Sequence, residues 1–240
     1  PVMALLTVWA AGMEKFLGFF EEEINSGLDP VDAAIKTIRK VAAMSRNIRF
    51  EGNAYSANWH EEAERRGLLK AKTIPEGIDL FVEPSTIKML EEMGVFSKKE
   101  IEAFHTIKLE QFVKSIEIEM SVLRDMVWEG ILPALSKQML LEKSSRDAVA
   151  GYDALSMEKW DGLIVRLATA KLDLIEKTAE LAALREKMAQ MTTRGHAEEI
   201  VKSAVPLMLE IRKIADSIEI FFSSENMPYP NYRNLLSLSA

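Results

Sequence analysis

The sequence predicts an all-α protein, a helical bundle with a long antiparallel helical hairpin in its C-terminal half. Runs of Val, Ile and Thr that alternate with polar residues, which would indicate strands, are absent from the 240 residues. The 11 Gly and 8 Pro stand mostly between segments of helical periodicity. Two long apolar repeats in the last third of the chain predict the hairpin.

The first half of the chain is predicted to hold a series of helices with readable ends. The first runs over about Met3–Asn25, because Ser26–Gly27 supply a left-handed cap. Asp29–Pro30 give the N-cap and first position of a second helix, expected to reach about Ile48. The short helices that follow are Trp59–Arg66 before Gly67, one after the capping-box residues Thr73 and Glu76, and one from Pro84 to Gly94.

A longer helix is predicted over Ser97–Glu142, opened by a second capping-box spacing. Pro133 removes one backbone hydrogen bond from it, so we expect a kink near residues 129–130. Met126 and Trp128 lie beside this kink. Met and aromatic side chains at helical spacing are expected to be core residues here, not a binding site.

The last third of the chain carries two apolar seams with the alternating spacing of four and three residues that helix pairs bury. A few residues around Gly195 separate the seams, which leaves room only for an antiparallel hairpin. The seam positions, apolar except for Lys177, are Leu163, Leu167, Ala170, Leu174, Lys177, Leu181, Leu184, Met188 and Met191, then Ile200, Ala204, Leu207, Ile211, Ile214, Ile218 and Phe221.

Composition excludes several classes of function. The 30 basic and 37 acidic residues give a net charge of −7, and neither half of the chain is basic, which disfavours a nucleic-acid partner. The absence of Cys excludes disulfides and thiolate metal sites. The longest apolar candidate, Val2–Phe20, is interrupted by Glu14 and Lys15, so we expect neither a membrane span nor a signal peptide and predict a cytoplasmic protein.

No residue is predicted from the pattern to be catalytic, cofactor-binding or metal-binding. His60 lacks the second His four residues on that a zinc helix needs, and His105 and His196 stand alone, so each is expected at the surface or satisfied in the core. Glu21–Glu23 point in three directions around a helix and are expected to be solvated. The chain also lacks the glycine-rich phosphate loops and the serine-nucleophile motifs.

One segment carries a more specific signal. Arg49–Leu68, RFEGNAYSANWHEEAERRGL, resembles the F-x-G-N-G-Y-S-x-x-W-x-x-E-A-E-x-R-G-L signature of the bacterial type III glutamine synthetases. The matching residues are Phe50, Gly52, Asn53, Tyr55, Ser56, Trp59, Glu62, Ala63, Glu64, Arg66, Gly67 and Leu68. Further similar segments are Gly94–Met120, Ile131–Ala134 and the tail Pro228–Tyr232 with Leu235–Leu236.

The chain departs from the family pattern at two positions. Ala54 stands where the family usually has a second Gly, so a positive φ there would cost about 1 kcal/mol. Leu6 stands where Asn is expected in the opening helix. These departures concern the loop geometry and leave the resemblance over nearly the whole chain in place.

The resemblance implies a part of an enzyme that makes glutamine from glutamate, ammonia and ATP in a homo-oligomeric ring. In that family the metal ligands and nucleotide contacts lie in a catalytic core that precedes the region matched here, so ATP and magnesium are implied only for the full-length enzyme. We therefore expect residues 1–120 to be the terminal helices of the catalytic domain and residues 121–240 a C-terminal helical bundle domain. The implied role is packing and subunit assembly, and the implied partners are the missing core and neighbouring subunits.

Two alternatives stay open. The chain could be a free-standing helical interaction or regulatory module whose seams hold a partner protein. In the bacterial type I glutamine synthetases a regulatory Tyr sits in a broadly comparable loop, so nucleotidylation of Tyr55 is the second alternative, against the simpler expectation that Tyr55 anchors a turn beside Trp59.

Overall fold

The computed structural model describes residues 2–53, 56–68, 71–151, 154–230 and 235–236, without the side chains of residues 57, 60 and 154–156. Every regular element in these ranges is a helix, so the predicted all-α class is confirmed. The chain divides into two compact units, Pro1–Lys108 and Leu109–Ala240. This boundary lies inside a long helix, before the division predicted at residues 120–121.

The first unit contains the helices predicted for it, with ends that differ by a few residues. The capping box is formed, because the Thr73 hydroxyl accepts from the Glu76 N–H while the Glu76 carboxylate accepts from the Thr73 N–H. The helices are α1 (Val2–Asn25), α2 (Pro30–Met44), α3 (Ala57–Arg65), α4 (Ile74–Asp79), α5 (Pro84–Glu92) and the first part of α6 (Lys98–Asp125).

Helices α1 and α2 pack against each other as a hairpin. Gly27, at φ +94°, makes the left-handed turn that ends α1, and the Asp29 carboxylate accepts hydrogen bonds from the first backbone N–H groups of α2. Ala33 and Thr37 of α2 are fully buried. The cap residues Gly27 and Asp29 thus form the turn between α1 and α2 at the predicted place.

The second unit is built around α8 (Ala154–Met188), which packs against α7 (Leu132–Ala148) and α10 (Val205–Glu219). The seams meet in its core, since Leu167, Leu174, Ile211 and Ile218 are all buried. At about 1.5 Å per residue, the 35 residues of α8 extend roughly 52 Å. The predicted long helical hairpin is confirmed.

The turn of this hairpin lies earlier than predicted. Gly195, expected in the turn, is inside α9 (Thr193–Glu199). The chain reverses between Met188 and Thr192, and the Thr192 hydroxyl caps α9 by accepting from the Gly195 N–H at 3.2 Å. The turn lies earlier for a local reason, because Thr is a strong N-cap residue and Gly is tolerated in a first helical turn.

The predicted disruption near residues 129–130 is confirmed and takes the form of a wide π-helical turn at Met126–Ile131. Within it, the Leu132 N–H bonds to the Val127 carbonyl, five residues earlier. A second wide turn, Ile200–Ala204, joins α9 to α10 just before Pro206. The expectation that Met126 and Trp128 are core residues is wrong: both are partly exposed, Trp128 to 48%.

Candidate functional site

The motif segment Arg49–Leu68 is organised around two stacked rings. Phe50 and Trp59 lie with ring centroids 4.5 Å apart and planes tilted by 40°. Gly52, at φ +151°, passes under the Phe50 ring, where a Cβ would stand 3.0 Å from two ring carbons. The motif glycine therefore gives the loop both its backbone conformation and room for the ring.

Helix α3 is capped at both ends by motif residues. The Ser56 hydroxyl accepts from the Trp59 N–H at 3.4 Å and donates to the Asn53 carbonyl at 2.7 Å, which ties the helix start to the loop before it. At the other end Gly67, at φ +70°, lets the Leu68 N–H reach the Ala63 carbonyl at 3.0 Å. The string S-x-x-W…R-G-L is thus a helix with its two caps.

Arg66 connects α3 to the chain before the motif. Its guanidinium donates to the carbonyls of Asn47 at 3.3 Å and Arg49 at 2.6 Å, and it also pairs with the Glu62 carboxylate. Hydrogen bonds from Arg65 and Arg66 lower the pKa of Glu62 from 4.5 to about 2. Glu62 is therefore ionised at neutral pH and aligns the arginine that holds the loop.

This arrangement is a rigid loop support and offers no nucleophile with an adjacent base among its described residues. Ser56 bonds back to the Asn53 carbonyl through both its hydroxyl and its N–H. Ala54 and Tyr55 themselves lie outside the described residues. The expectations for the φ at Ala54, for anchoring of Tyr55 and for its nucleotidylation therefore stay predictions.

The three histidines lie far apart from one another in the chain. His105 is half-buried, with its Nε2 2.9 Å from the Asp79 Oδ1. His196 is buried with its Nε2 3.7 Å from the Glu117 Oε1. The side chain of His60 lies outside the described residues. The absence of assigned site residues at these positions stays a prediction.

The predicted solvated patch Glu21–Glu23 is partly tied into the α1–α2 hairpin. Glu22 accepts from Lys40 at 3.2 Å, and Glu23 accepts from Lys36 at 2.6 Å. These carboxylates therefore link helices, and Glu23 is largely shielded from solvent.

A second set of contacts surrounds the wide turn at Met126–Ile131 and includes Tyr229 of the tail segment. The Tyr229 hydroxyl donates to the Met126 carbonyl at 2.8 Å, and the Tyr229 ring lies over Gly130. The Trp128 Nε1 donates to the hydroxyl of Thr178 at 3.1 Å. Sequence reasoning missed Thr178 and the pairing of Tyr229 with Gly130, because both join positions that are far apart in the chain.

The residues that the structure describes show no ligand set for a metal ion. In these ranges no three His, Cys, Asp or Glu side chains are grouped so that they could hold a metal ion. Glu22, Glu23 and Glu62 are held by Lys and Arg partners, which compete with a cation. We therefore assign no chemical step to ATP or magnesium in this chain.

Comparison with known proteins finds similarity to glutamine synthetases. Residues 33–146 match the family model described as the glutamine synthetase C-terminal domain. The chain is 28% identical over 217 residues to a glutamine synthetase of Butyrivibrio fibrisolvens, which covers 87% of this chain and 30% of the relative.

Two further relatives extend the similarity over almost the whole chain. A glutamine synthetase of Bacteroides fragilis (strain YCH46) is 26% identical over 248 residues, covering 98% of this chain and 33% of the relative. A type-3 glutamine synthetase of Dictyostelium discoideum is 28% identical over 248 residues, covering 99% and 33%. The chain thus spans about a third of the length of the curated relatives it matches.

Proposed function

We propose that this chain, of which residues 33–146 match the glutamine synthetase C-terminal domain, is the helical C-terminal region of an ATP-dependent glutamate–ammonia ligase of glutamine biosynthesis. In this proposal it serves packing and subunit assembly and does not itself carry the catalytic residues. Its partners are the catalytic core and neighbouring subunits of a homo-oligomeric ring in the cytoplasm.

The observation that carries the proposal is the exposed apolar surface of α1. Leu5, Leu6, Trp9 and Met13 are all more than half exposed, and Trp9 reaches 74%. Side chains of this size cluster on a surface mainly where another surface covers them. We therefore assign α1 to an interface.

Helix α2 of the same unit also exposes apolar side chains. Val31, Ile35 and Ile38 recur at helical spacing on α2, and each is exposed. The opposite side of α2 buries Ala33 and Thr37. A helix that is apolar on both sides is typical of a position between two protein surfaces.

The length of the relatives indicates what covers these helices. About two thirds of each relative lies outside the matched region, and in the resembled family that part includes the catalytic core. The core of the same subunit is the proposed cover for α1 and α2. The family also supports neighbouring subunits as further partners.

Helix α1 admits a competing interpretation. By length and composition it could cross a membrane, contrary to the expectation from its interrupted apolar run. We propose a protein interface instead, because α1 packs against α2 and shares ion pairs with it. The acidic net charge supports the further proposal that nucleic acid is not a partner.

The proposal is tested by supplying the missing core. The 240-residue chain alone should form no glutamine from glutamate, ammonia and ATP, and coexpression with the upstream coding region of its gene should give an active multimer. Trp9→Asp should weaken that assembly, measured by light scattering and glutamine formation, while the matched variant Leu172→Asp on the exposed side of α8 should not. Glutamine formation by the chain alone would overturn the non-catalytic role.

Two further observations distinguish the other interpretations. A start codon directly before the codon for Pro1, with no upstream core, would favour a free-standing interaction module. Co-flotation of the chain with lipid vesicles that is lost in Trp9→Asp would favour a membrane role for α1.

A further inference from the structure

A pocket of about 280 Å³ lies in the second unit between α6 and α8. Its floor is apolar, with Met120 and Leu181 almost fully buried and Ala182 and Ala189 beside them. Such a volume falls just below the range of pockets that hold drug-sized ligands. The pocket is therefore suited to a molecule with few non-hydrogen atoms.

Charged side chains of both signs line this pocket. Arg124 and Glu117 come from α6, while Arg185 and Glu186 come from α8. In the described part of the chain Arg124 pairs only with Asp125, at 3.3 Å, and Arg185 and Glu186 form no ion pair. Opposite charges thus share one pocket without neutralising each other across it.

Glu117 is held in place before any ligand arrives. Its Oε2 accepts from the Lys114 Nζ at 2.7 Å, and its Oε1 faces the His196 Nε2 at 3.7 Å. That histidine nitrogen is buried and has no hydrogen-bond partner among the described residues. Ser121, one turn further along α6, adds a hydroxyl to the same wall. The Glu117 carboxylate is therefore preorganised, which lowers the entropic cost of binding.

We propose that this pocket binds a small zwitterion of the size of a free α-amino acid. Arg124 and Arg185 take its carboxylate, because guanidinium groups donate to carboxylates in strong charge-assisted hydrogen bonds. Glu117 and Glu186 take its ammonium group. The apolar floor of Met120 and its neighbours accepts an aliphatic side chain.

Simple ions fit the pocket less well than a zwitterion does. A carboxylate without an ammonium group would be attracted by the two arginines and repelled by Glu117 and Glu186. A simple amine would be attracted by the two glutamates and repelled by the two arginines. A molecule with both charges can pair with lining residues of both signs, and none of these lining residues belongs to the motif segment Arg49–Leu68.

The test is calorimetric titration of the 240-residue chain with L-valine, L-leucine and L-methionine at millimolar concentrations. Isovalerate and isobutylamine are the matched half-ligands, since each keeps the aliphatic group of L-valine and only one of its charges. We expect at least one amino acid to bind and both half-ligands to bind at least about tenfold more weakly.

Substitutions assign the binding to this pocket. Arg185→Gln and Glu186→Gln should each weaken the amino acid at least about tenfold. The matched controls Arg39→Gln in α2 and Glu176→Gln in α8 remove exposed charges elsewhere and should leave affinity unchanged. Circular dichroism of all four variants shows that the helices are retained.

Three outcomes would overturn the proposal. These are no binding of any of the three amino acids, equal binding of isovalerate, which would indicate a plain anion site, and equal effects of the pocket and control substitutions. The titration uses the chain alone, so its failure is distinguishable from failure of the proposed role in an enzyme.

Discussion

Gly130 lies directly under the ring of Tyr229, so close that a Cβ at residue 130 would clash with the tyrosine oxygen. The hydroxyl of Tyr229 at the same time donates to the Met126 carbonyl at 2.8 Å. Burial, with Glu129 nearby, raises the pKa of Tyr229, which keeps this hydroxyl protonated as a donor. The wide turn and the tail are therefore fitted to each other.

Gly130→Ala should destabilise the second unit, because the methyl group cannot coexist with the present position of Tyr229. We expect a loss of about 1–3 kcal/mol in the free energy of unfolding, measured by urea denaturation. The matched control is Gly162→Ala in α8, where a Cβ meets nothing within 4 Å and the substitution should be neutral or slightly stabilising. In a Tyr229→Ala background the cost of Gly130→Ala should shrink, and an undiminished cost would contradict the contact.

Glu62→Gln should make stability less dependent on pH. The folded-state pKa of Glu62 is lowered to about 2 from 4.5, so its contribution is present above about pH 4.5 and is lost as pH falls through about 2. The difference in unfolding free energy between the parent chain and Glu62→Gln should therefore narrow over this window. Glu64→Gln on the same helix is the control, and an identical pH profile for both variants would contradict the network with Arg65 and Arg66.

Leu174→Asp should be severely destabilising, because Leu174 is 0% exposed and the new carboxylate would be buried without a partner. A loss of about 3 kcal/mol or more is expected in thermal or urea unfolding. Leu172→Asp places the same charge two residues away at a position that is 66% exposed, and it should change the unfolding free energy little. Equal effects of the two substitutions would mean that α8 does not bury its seam.

Thr178→Val should remove the acceptor of the Trp128 indole while keeping the size of the side chain. We expect a loss of about 1 kcal/mol, since the half-exposed indole can turn to water instead. Exchange of the Trp128 indole hydrogen, followed by NMR, should become faster. Thr178→Ser keeps the hydroxyl and should preserve slow exchange, so fast exchange in both variants would show that the bond is unimportant.

Local sequence patterns predicted the helices and much of the core of this chain. The spacing of the seams correctly assigned Leu174 and Ile211 to the interior, since burial along a helix follows its own periodicity. The hairpin turn lies before Gly195, not around it, because Thr192 caps α9 and Gly195 is inside that helix. Thr192 and Gly195 are both visible in the sequence, and the strong preference of Thr for the N-cap position sets the start of α9.

Tertiary relationships could not be read from the same patterns. Trp128 was expected in the core, yet its ring is half exposed and only its Nε1 reaches Thr178. The pocket between Arg124 and Arg185 exists only because α6 and α8 pack side by side. The motif around Arg66 was found by its residues, but its role as a loop support required the carbonyl contacts of Asn47 and Arg49.

The wide turn at Met126–Ile131 also affects how related chains should be aligned. Val127 and Leu135 are both fully buried although eight residues separate them, where two turns of an ordinary helix would take seven. The π-helical turn accommodates one additional residue. In a regular α-helix that residue would rotate the side chains of α7 by about 100° around the helix axis. A homologue with an unbroken α-helix here is therefore expected to be one residue shorter, with a single-residue gap inside the helix and none in the adjoining loops.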